Sequence, residues 1–382
     1  MAQWNRVSLI DYIELIGGGT PKTTVPEYWN GNIPWLSVKD FNNDKRYVYS
    51  TEKHISQSGF ENSPTKMLHK DDIIISARGT VGEIAMIPFD MAFNQSCYGI
   101  RASRGIDQPF LYYLLKNCIS QLKRMTHGSV FDTITRDTFA NIEVDIPDAE
   151  TQKRISSVLA DIDNKIEVND AINDNLHQQA ATLFKALFVD LTPFDGTMPP
   201  NWTISTLGDA TEMGAGGDKP KESSPVKTPL CPYPIYSNGI NDYGLYGYTN
   251  DPKIKAESVT VSARGTIGYV CLRHTPYVPI VRLVTLIPDS KVLSAKYLYL
   301  YLRQLHITGT GTTQQQLTVP DFRKTEIIIP DKNTMDSFTE TVTPLFEQIW
   351  ANEDENTKLA EVRDALLPKL MSGEIDVSDI QL

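Results

Sequence analysis

The stretch Ile155-Ser156-Ser157-Val158-Leu159-Ala160-Asp161-Ile162-Asp163-Asn164-Lys165-Ile166-Glu167-Val168-Asn169-Asp170-Ala171-Ile172-Asn173 decides the architecture. Ile155, Leu159, Ile162, Ile166, Asn169, Asn173, Leu176, Ala180, Leu183 and Leu187 follow one another at alternating spacings of 4 and 3. A period of 3.5 residues held this long is a coiled-coil seam, narrower than the stripe of an ordinary surface helix. At 1.5 Å per residue such a helix extends roughly 48 Å. Phe338, Val342, Leu345, Ile349, Asn352, Asn356, Leu359, Arg363, Leu366 and Leu370 repeat the spacing, each 183 positions after its counterpart. Packed antiparallel, the two helices place Asn169 opposite Asn356 and Asn173 opposite Asn352. Asparagine buried in a seam weakens the pair and fixes its register; the alternative is a splayed, wetter centre. Pro344 suits the first turn of the second helix, which would leave Phe338 and Val342 in a preceding turn or short helix. Pro368 should kink or stop that helix near its end.

Working outward from the helices, the whole chain is written twice. Ile146-Pro147-Asp148, just before the first helix, returns as Ile329-Pro330-Asp331. Earlier in each half, Ser76-Ala77-Arg78-Gly79-Thr80-Val81-Gly82 returns as Ser262-Ala263-Arg264-Gly265-Thr266-Ile267-Gly268, 186 residues later. A repeat this long exceeds the 20–50 residues of solenoids and propellers and predicts two pseudo-symmetric halves. Each half opens with a β-rich region broken by Gly, Pro and Asn. A shorter helix follows, at Gln108–Met125 and at Ser294–Leu305, with Phe110, Leu111, Leu114, Leu115 and Tyr297, Leu298, Tyr301, Leu302 at helical spacing. A strand then runs into each Ile-Pro-Asp: Ile142, Val144 and Ile146 alternate, and Ile327-Ile328-Ile329 reads as a buried run. The fold class expected is α+β: two pseudo-symmetric globular domains separated by two long helices forming an antiparallel coiled coil.

Composition bounds the function. The 382 residues suit two to three domains, and 41% hydrophobic with 22% charged residues is ordinary for a soluble protein. No apolar run approaches the roughly 20 residues of a membrane span, and the N-terminus lacks a signal-peptide core. Cys97, Cys118, Cys231 and Cys271 lie far apart, which argues against a zinc site or a disulfide framework. A reducing, cytoplasmic setting fits. The net charge of −11 divides unevenly: residues 1–146 carry −1, 147–195 carry −5, 196–329 carry +3 and 330–382 carry −8. The acid thus sits in the helices, and near-neutral globular parts can still present a basic face.

Catalytic signatures are absent: there is no P-loop, no dinucleotide fingerprint, no H-E-x-x-H and no nucleophile elbow. Two Gly-rich runs ending in Lys and Pro remain, Gly17-Gly18-Gly19-Thr20-Pro21-Lys22 and Gly214-Ala215-Gly216-Gly217-Asp218-Lys219-Pro220. They read either as tight connections or as loops offering backbone N–H groups and Lys22 or Lys219 to phosphates. Arg78 and Arg264 end strands just before a glycine turn. A guanidinium fork there suits a guanine edge or a phosphate; an internal ion pair bracing the turn is the alternative.

Taken in order, these pieces resemble the specificity subunit of type I restriction–modification systems. The matching residues are Trp4…Leu9 and Trp202…Leu207-Gly208-Asp209, the Gly-rich Lys-Pro loops, Trp35-Leu36-Ser37-Val38-Lys39-Asp40 and both Ser-Ala-Arg-Gly-Thr motifs. Gly128…Ile134-Thr135…Phe139, Gly311…Leu317-Thr318…Phe322 and the closing Leu366-Leu367-Pro368-Lys369-Leu370-Met371-Ser372-Gly373-Glu374-Ile375 complete the set. The second half replaces the Trp-Leu-Ser-Val-Lys-Asp motif with Tyr233-Pro234-Ile235-Tyr236-Ser237-Asn238-Gly239.

The resemblance implies target recognition domains at residues 1–148 and 191–331, with helical spacers at 149–190 and 332–382. It implies a non-catalytic DNA sequence-specificity subunit that reads a bipartite, asymmetric site in double-stranded DNA, one half with each domain, the helices setting the gap. Half-sites about 10 base pairs apart, centre to centre, would suit two domains on one face of the duplex. The implied partners are two modification (methyltransferase) subunits and, through them, the restriction (ATP-dependent translocase and nuclease) subunits. No cofactor or metal is expected in this chain; S-adenosylmethionine, ATP and magnesium belong to the partners. Candidate DNA contacts in the first half are Thr20, Lys22, Ser37, Lys39, Arg78, Thr80 and Ser129. In the second they are Lys219, Lys221, Ser237, Asn238, Arg264, Thr266, Gln314 and Gln315, glutamine being suited to adenine edges. The Leu9–Arg78 interval is 69 residues against 57 for Leu207–Arg264, so the halves should read different sequences. A protein-interaction scaffold built on the coiled coil is the alternative of a different class; an enzyme with an unfamiliar site is a third.

Overall fold

The structure is a computed structural model, and it describes residues 4–126, 133–309 and 316–380. Ser129, Gln314 and Gln315 lie outside the described residues. The chain forms two compact units, Met1–Asn169 with Glu353–Leu382, and Asp170–Asn352.

In the first unit a four-stranded antiparallel sheet runs in the order Ile13–Gly17, Cys97–Ala102, Ile73–Ser76, Ile84–Met86. The run Ile73-Ile74-Ile75 is apolar throughout because this strand has a core on each side. Ile73 and Ile75 face Phe110, Leu111 and Leu115 of helix α1 (Gln108–Thr126), whereas Ile74 belongs to a second cluster with Leu36, Phe41, Met91 and Phe93. Alternation across a strand delivers successive side chains to opposite faces. A second sheet, ordered Lys53–Ile55, Trp29–Leu36, Met91–Phe93, Met67–Leu68, supplies the far wall of that cluster. A two-stranded ribbon, Asn5–Ser8 against Glu143–Ile146, leads into helix α2 (Ala149–Phe184).

The second unit repeats the plan. Its main sheet is ordered Thr211–Ala215, Val284–Pro288, Ser258–Val261, Val270–Arg273. Val259 and Val261 face helix α3 (Ala295–Gln304), with Ser294 as its N-cap. The second sheet joins Ser223–Ser224, Leu245–Thr249, Tyr233–Tyr236 and Val278–Pro279. Its ribbon pairs Thr203–Thr206 with Glu326–Ile329 ahead of helix α4 (Lys332–Met371). The Ile327-Ile328-Ile329 run is less buried than its composition suggests. Only Ile327 is fully covered, because a two-stranded ribbon leaves one face half open.

Each Ile-Pro-Asp ends a strand and caps a helix. Asp148 accepts from the backbone N–H groups of Glu150 and Thr151, and its other oxygen from the Thr151 hydroxyl. Asp331 does the same for Asn333, Thr334 and the Thr334 hydroxyl. These bonds hold both carboxyl groups below the usual carboxylate range, the Thr151 amide and the Thr334 hydroxyl being the largest influences. The Asp331 cap explains why Pro344 does not begin a helix, contrary to the sequence expectation. Helix α4 starts at Lys332 and carries buried Met335, Phe338 and Val342 on its first three turns. Pro344 lies inside it and cannot donate to the carbonyl of Glu340. Just upstream, the hydroxyls of Thr339, Thr341 and Thr343 bond back to the carbonyls four residues earlier. Pro368 does not stop the helix either. It runs on to Met371 and closes at Gly373, whose φ of +72° suits a left-handed C-terminal residue and whose amide donates to Leu370.

All twenty seam positions except Leu187 fall within α2 and α4, and Leu187 lies in a π-helical turn, Lys185–Val189, that extends α2. Every one is buried or half-buried. Within the first unit, Asn169 Nδ2 donates to Asn356 Oδ1 and to Glu355 Oε2, both at 2.8 Å, and Lys165 reaches Glu355 at 3.2 Å. Within the second, Asn352 Nδ2 donates to Asn173 Oδ1 at 2.8 Å. No helix is long and apolar enough to cross a membrane among the described residues.

Candidate nucleic-acid interface

The repeated Ser-Ala-Arg-Gly-Thr-x-Gly motif encodes one turn, built twice. In the first unit Gly79 and Gly82 take φ of +79° and +87°; in the second Gly265 and Gly268 take +70° and +84°. Glycine is the residue that occupies this region without a Cβ penalty. The amide of Gly82 donates to the Ser76 carbonyl, and that of Gly268 to Ser262. Ile134 donates to the Ala77 carbonyl and Leu317 to Ala263, at 3.0 Å in each case, which pins the turn to the following segment. The Thr135 and Thr318 that follow are N-caps of short helices. Between these anchors Arg78 and Arg264 stand exposed. Neither has an ion pair among the described residues; Arg264 donates to Gln316 Oε1 at 2.8 Å.

In the first unit Arg78 opens onto a cleft of about 390 Å³, lined also by Trp35, Ser37, Lys39, Thr80 and Lys53. Four of the residues singled out from the sequence, Ser37, Lys39, Arg78 and Thr80, therefore share one wall-to-wall site. Ser37 is committed: its hydroxyl and amide both donate to Asp40 Oδ2, closing the short helix Val38–Phe41. Thr20 donates to Gln95, and Lys22 is exposed. The Gly-rich run works by close approach. A Cβ on Gly18 would meet the Asn94 carbonyl at 2.1 Å, and one on Gly19 the Thr65 amide nitrogen at 2.4 Å. The Gly19 amide donates to Phe93, and Gly216 likewise to Leu283, so neither amide is available to a phosphate.

In the second unit Asn238 is a strut. Its Nδ2 donates to the Val281 carbonyl and its Oδ1 accepts from the Ala263 amide, both at 2.7 Å. The Arg264 turn is thereby fixed to the Ile280–Leu283 turn. Ser237 closes its own loop by donating to the Gly244 carbonyl. Lys219 lies 5.2 Å from the centre of the Tyr246 ring, and Lys221 is exposed. Thr266 buries its hydroxyl with no partner among the described residues.

Two features escaped the sequence reading: the Asn94-Gln95-Ser96 turn, whose Ser96 carbonyl accepts from Ala77 and Arg78, and its counterpart Ile280–Leu283. Three polar residues between buried strands were the available signal for the first. The second gave none. Among the described residues no group of three or more His, Cys, Asp or Glu side chains could hold a metal ion.

A duplicated α+β unit with an exposed arginine turn, tied to its copy by paired helices, defines a class that the comparisons identify. The profile of the family described as "Type I restriction modification DNA specificity domain" matches residues 1–178 and 199–361. The chain belongs to this family, that of the type I restriction enzyme specificity subunits. It is similar to the type I restriction enzyme MjaIX specificity subunit of Methanocaldococcus jannaschii, at 28% identity over 99% of this chain and 94% of that protein. It is also similar to the HindI specificity subunit of Haemophilus influenzae, at 25% identity over 98% of this chain and 100% of that protein. The fold matches the crystal structure of the type I restriction–modification S subunit of M. genitalium with a TM-score of 0.57 and 15% identity, over 97% of this chain and 96% of that one.

Proposed function

We propose that this chain reads a bipartite site in double-stranded DNA, each unit contacting one half with the face that carries its arginine turn. The observation that carries this reading is the turn itself, the same left-handed glycines presenting the same exposed arginine in both units. In the first unit Lys39 and Lys53 line the cleft beside it, as a phosphate-tracking surface requires. The chain has no catalytic role here. It recruits two modification subunits, which hold S-adenosylmethionine, and through them restriction subunits that use ATP and magnesium, in the cytoplasm. Exposed Val168, Ile172 and Val362 on α2 and α4 favour these helices as docking surfaces for protein partners.

Arg78→Ala and Arg264→Ala test the reading in the complex with the modification subunits. Each variant is expected to relax recognition in a different half-site and to weaken specific binding by about 1–3 kcal/mol if the arginine holds a guanine edge. Methylation mapping of the host genome with and without each variant reads both half-sites and their gap. Specific affinity that survives the double variant, with an unchanged dependence on salt, overturns the assignment.

A further inference from the structure

The Ile280–Leu283 turn of the second unit places side chains where no motif pointed. Val281 and Arg282 have φ of +53° and +62°. A β-branched residue in the left-handed region is a genuine outlier, and such outliers gather at functional sites when the surroundings over-determine them. Here they do. The Val281 amide donates to the Gly217 carbonyl at 2.9 Å, the Arg282 amide to Gly216 at 2.8 Å, and the Val281 carbonyl accepts from Asn238. The flanking Ile280 and Leu283 are 1% and 2% exposed. Between them Val281 is 49% exposed and Arg282 stands beside it in solvent. A rigid scaffold thus holds a small apolar side chain out in water, at a position where glycine or asparagine would fit the backbone better.

The turn also occupies the middle of the candidate face. Asn238 joins it to the Arg264 turn, and Gly216 and Gly217 join it to the loop carrying Lys219. The equivalent turn of the first unit, bonded to Gly19 through Phe93 and to Ala77 through Ser96, carries Asn94, Gln95 and Ser96 instead. The two units therefore present turns at the same place in the fold with opposite chemistry, and only the second holds its residues, Val281 and Arg282, at positive φ.

We propose that Val281 is a base-reading residue that meets a thymine C5-methyl group in the major groove, a role that rests on the DNA-reading function above. Val281 has no donor or acceptor, so it can discriminate bases only through apolar contact. The thymine methyl is the apolar feature of the major-groove edge. Arg282 alongside it supplies positive charge toward the phosphates.

The test uses the full chain bound to its modification subunits and a duplex of the mapped target sequence. Thymidine is replaced by 2′-deoxyuridine, which lacks the methyl, at one position at a time. One replacement, in the half-site relaxed by Arg264→Ala, is expected to weaken binding about fourfold, equivalent to about 0.8 kcal/mol for one buried methyl-sized group. Val281→Gly should bind the thymidine and deoxyuridine duplexes equally. Its unfolding temperature should be unchanged or higher, because glycine relaxes the positive φ. A merely structural valine would move the unfolding temperature downward, and that result overturns the proposal. So does a parent complex indifferent to every deoxyuridine, or a Val281→Gly complex that keeps the same penalty or instead loses its modification subunits. A complex that binds no duplex selectively fails at the parent sequence, and so overturns the DNA-reading function as well.

Discussion

The buried arginine of α4 shows how far one seam position can depart from the apolar pattern. Arg363 and Asp163 are 4% and 3% exposed at the side chain and meet at 2.8 Å. Asp163 also accepts from the Tyr113 hydroxyl at 2.7 Å, and Arg363 reaches Asp44 and Asp364. Burial opposes the charge on Arg363, and the carboxylates around it more than restore it, so its pKa is raised. At the positions 183 residues away the second unit has Phe346 and Ala180, with the Tyr299 ring 5.8 Å from that of Phe346. One unit uses an ion pair where the other uses packing. Arg363→Ala leaves Asp163 buried and unpaired and should destabilise the first unit by about 3–5 kcal/mol. Asp163→Phe with Arg363→Ala, which copies the second unit, should recover most of that loss; thermal unfolding of the two variants decides it. His177 gives a pH-dependent counterpart in the second unit. Burial, with Arg303 nearby, holds its pKa below the ordinary 6.5, and its Nδ1 is buried without a partner among the described residues. The unfolded chain therefore takes up the proton more readily. Stability is fully present above pH 6.5 and falls as the pH drops through that value toward the folded pKa. Unfolding temperatures at pH 7.5 and 5.5 should differ, and His177→Gln should narrow the difference.

At the scale of elements, the paired asparagines carry the next expectation. Replacing Asn169, Asn173, Asn352 and Asn356 with Leu should raise the unfolding temperature and loosen register, because the amide-to-amide bonds give direction that leucine contacts lack. Cross-linking of cysteines placed at matched seam positions should then yield a mixture of pairings; a single pairing would count against a register role. The seam was legible in the sequence because a 3.5-residue period is local and was written twice. The start of the first long helix was equally legible at Ile146-Pro147-Asp148, where strand, proline and capping carboxylate are adjacent. The path through Pro344 was not. Proline's local preference yields there to the burial of Phe338 and Val342 and to a cap thirteen residues upstream at Asp331. The arginine turns could be read as a motif, but not their surroundings. The Asn94–Ser96 turn reaches Ala77 because Ile73–Ser76 pairs antiparallel with Cys97–Ala102, Ser76 opposite Cys97, a register that the motif itself does not encode. Val281 was illegible for a different reason, since its residue type contradicts its backbone.

For the molecule as a whole, the proposed ruler makes a quantitative demand. Removing one heptad from each long helix shortens the pair by about 10 Å, or about three base pairs of duplex, and methylation mapping should find the gap shortened accordingly. An unchanged gap would remove the helices from that role. The division into units has another consequence, for the order of events on the ribosome. The second unit is one continuous segment, Asp170–Asn352, but the first needs Glu353–Leu382. Leu367, Leu370, Met371 and Val377 share a core with Leu9, Ile13 and Ile155, and Gly373 lies against the Trp4 ring. The earlier segment therefore cannot close its interior until Glu353–Leu382 has emerged. Domains usually mature in the order of synthesis; here the later one should become resistant to protease first, while the earlier waits with an open core, the stage at which a chaperone would be engaged.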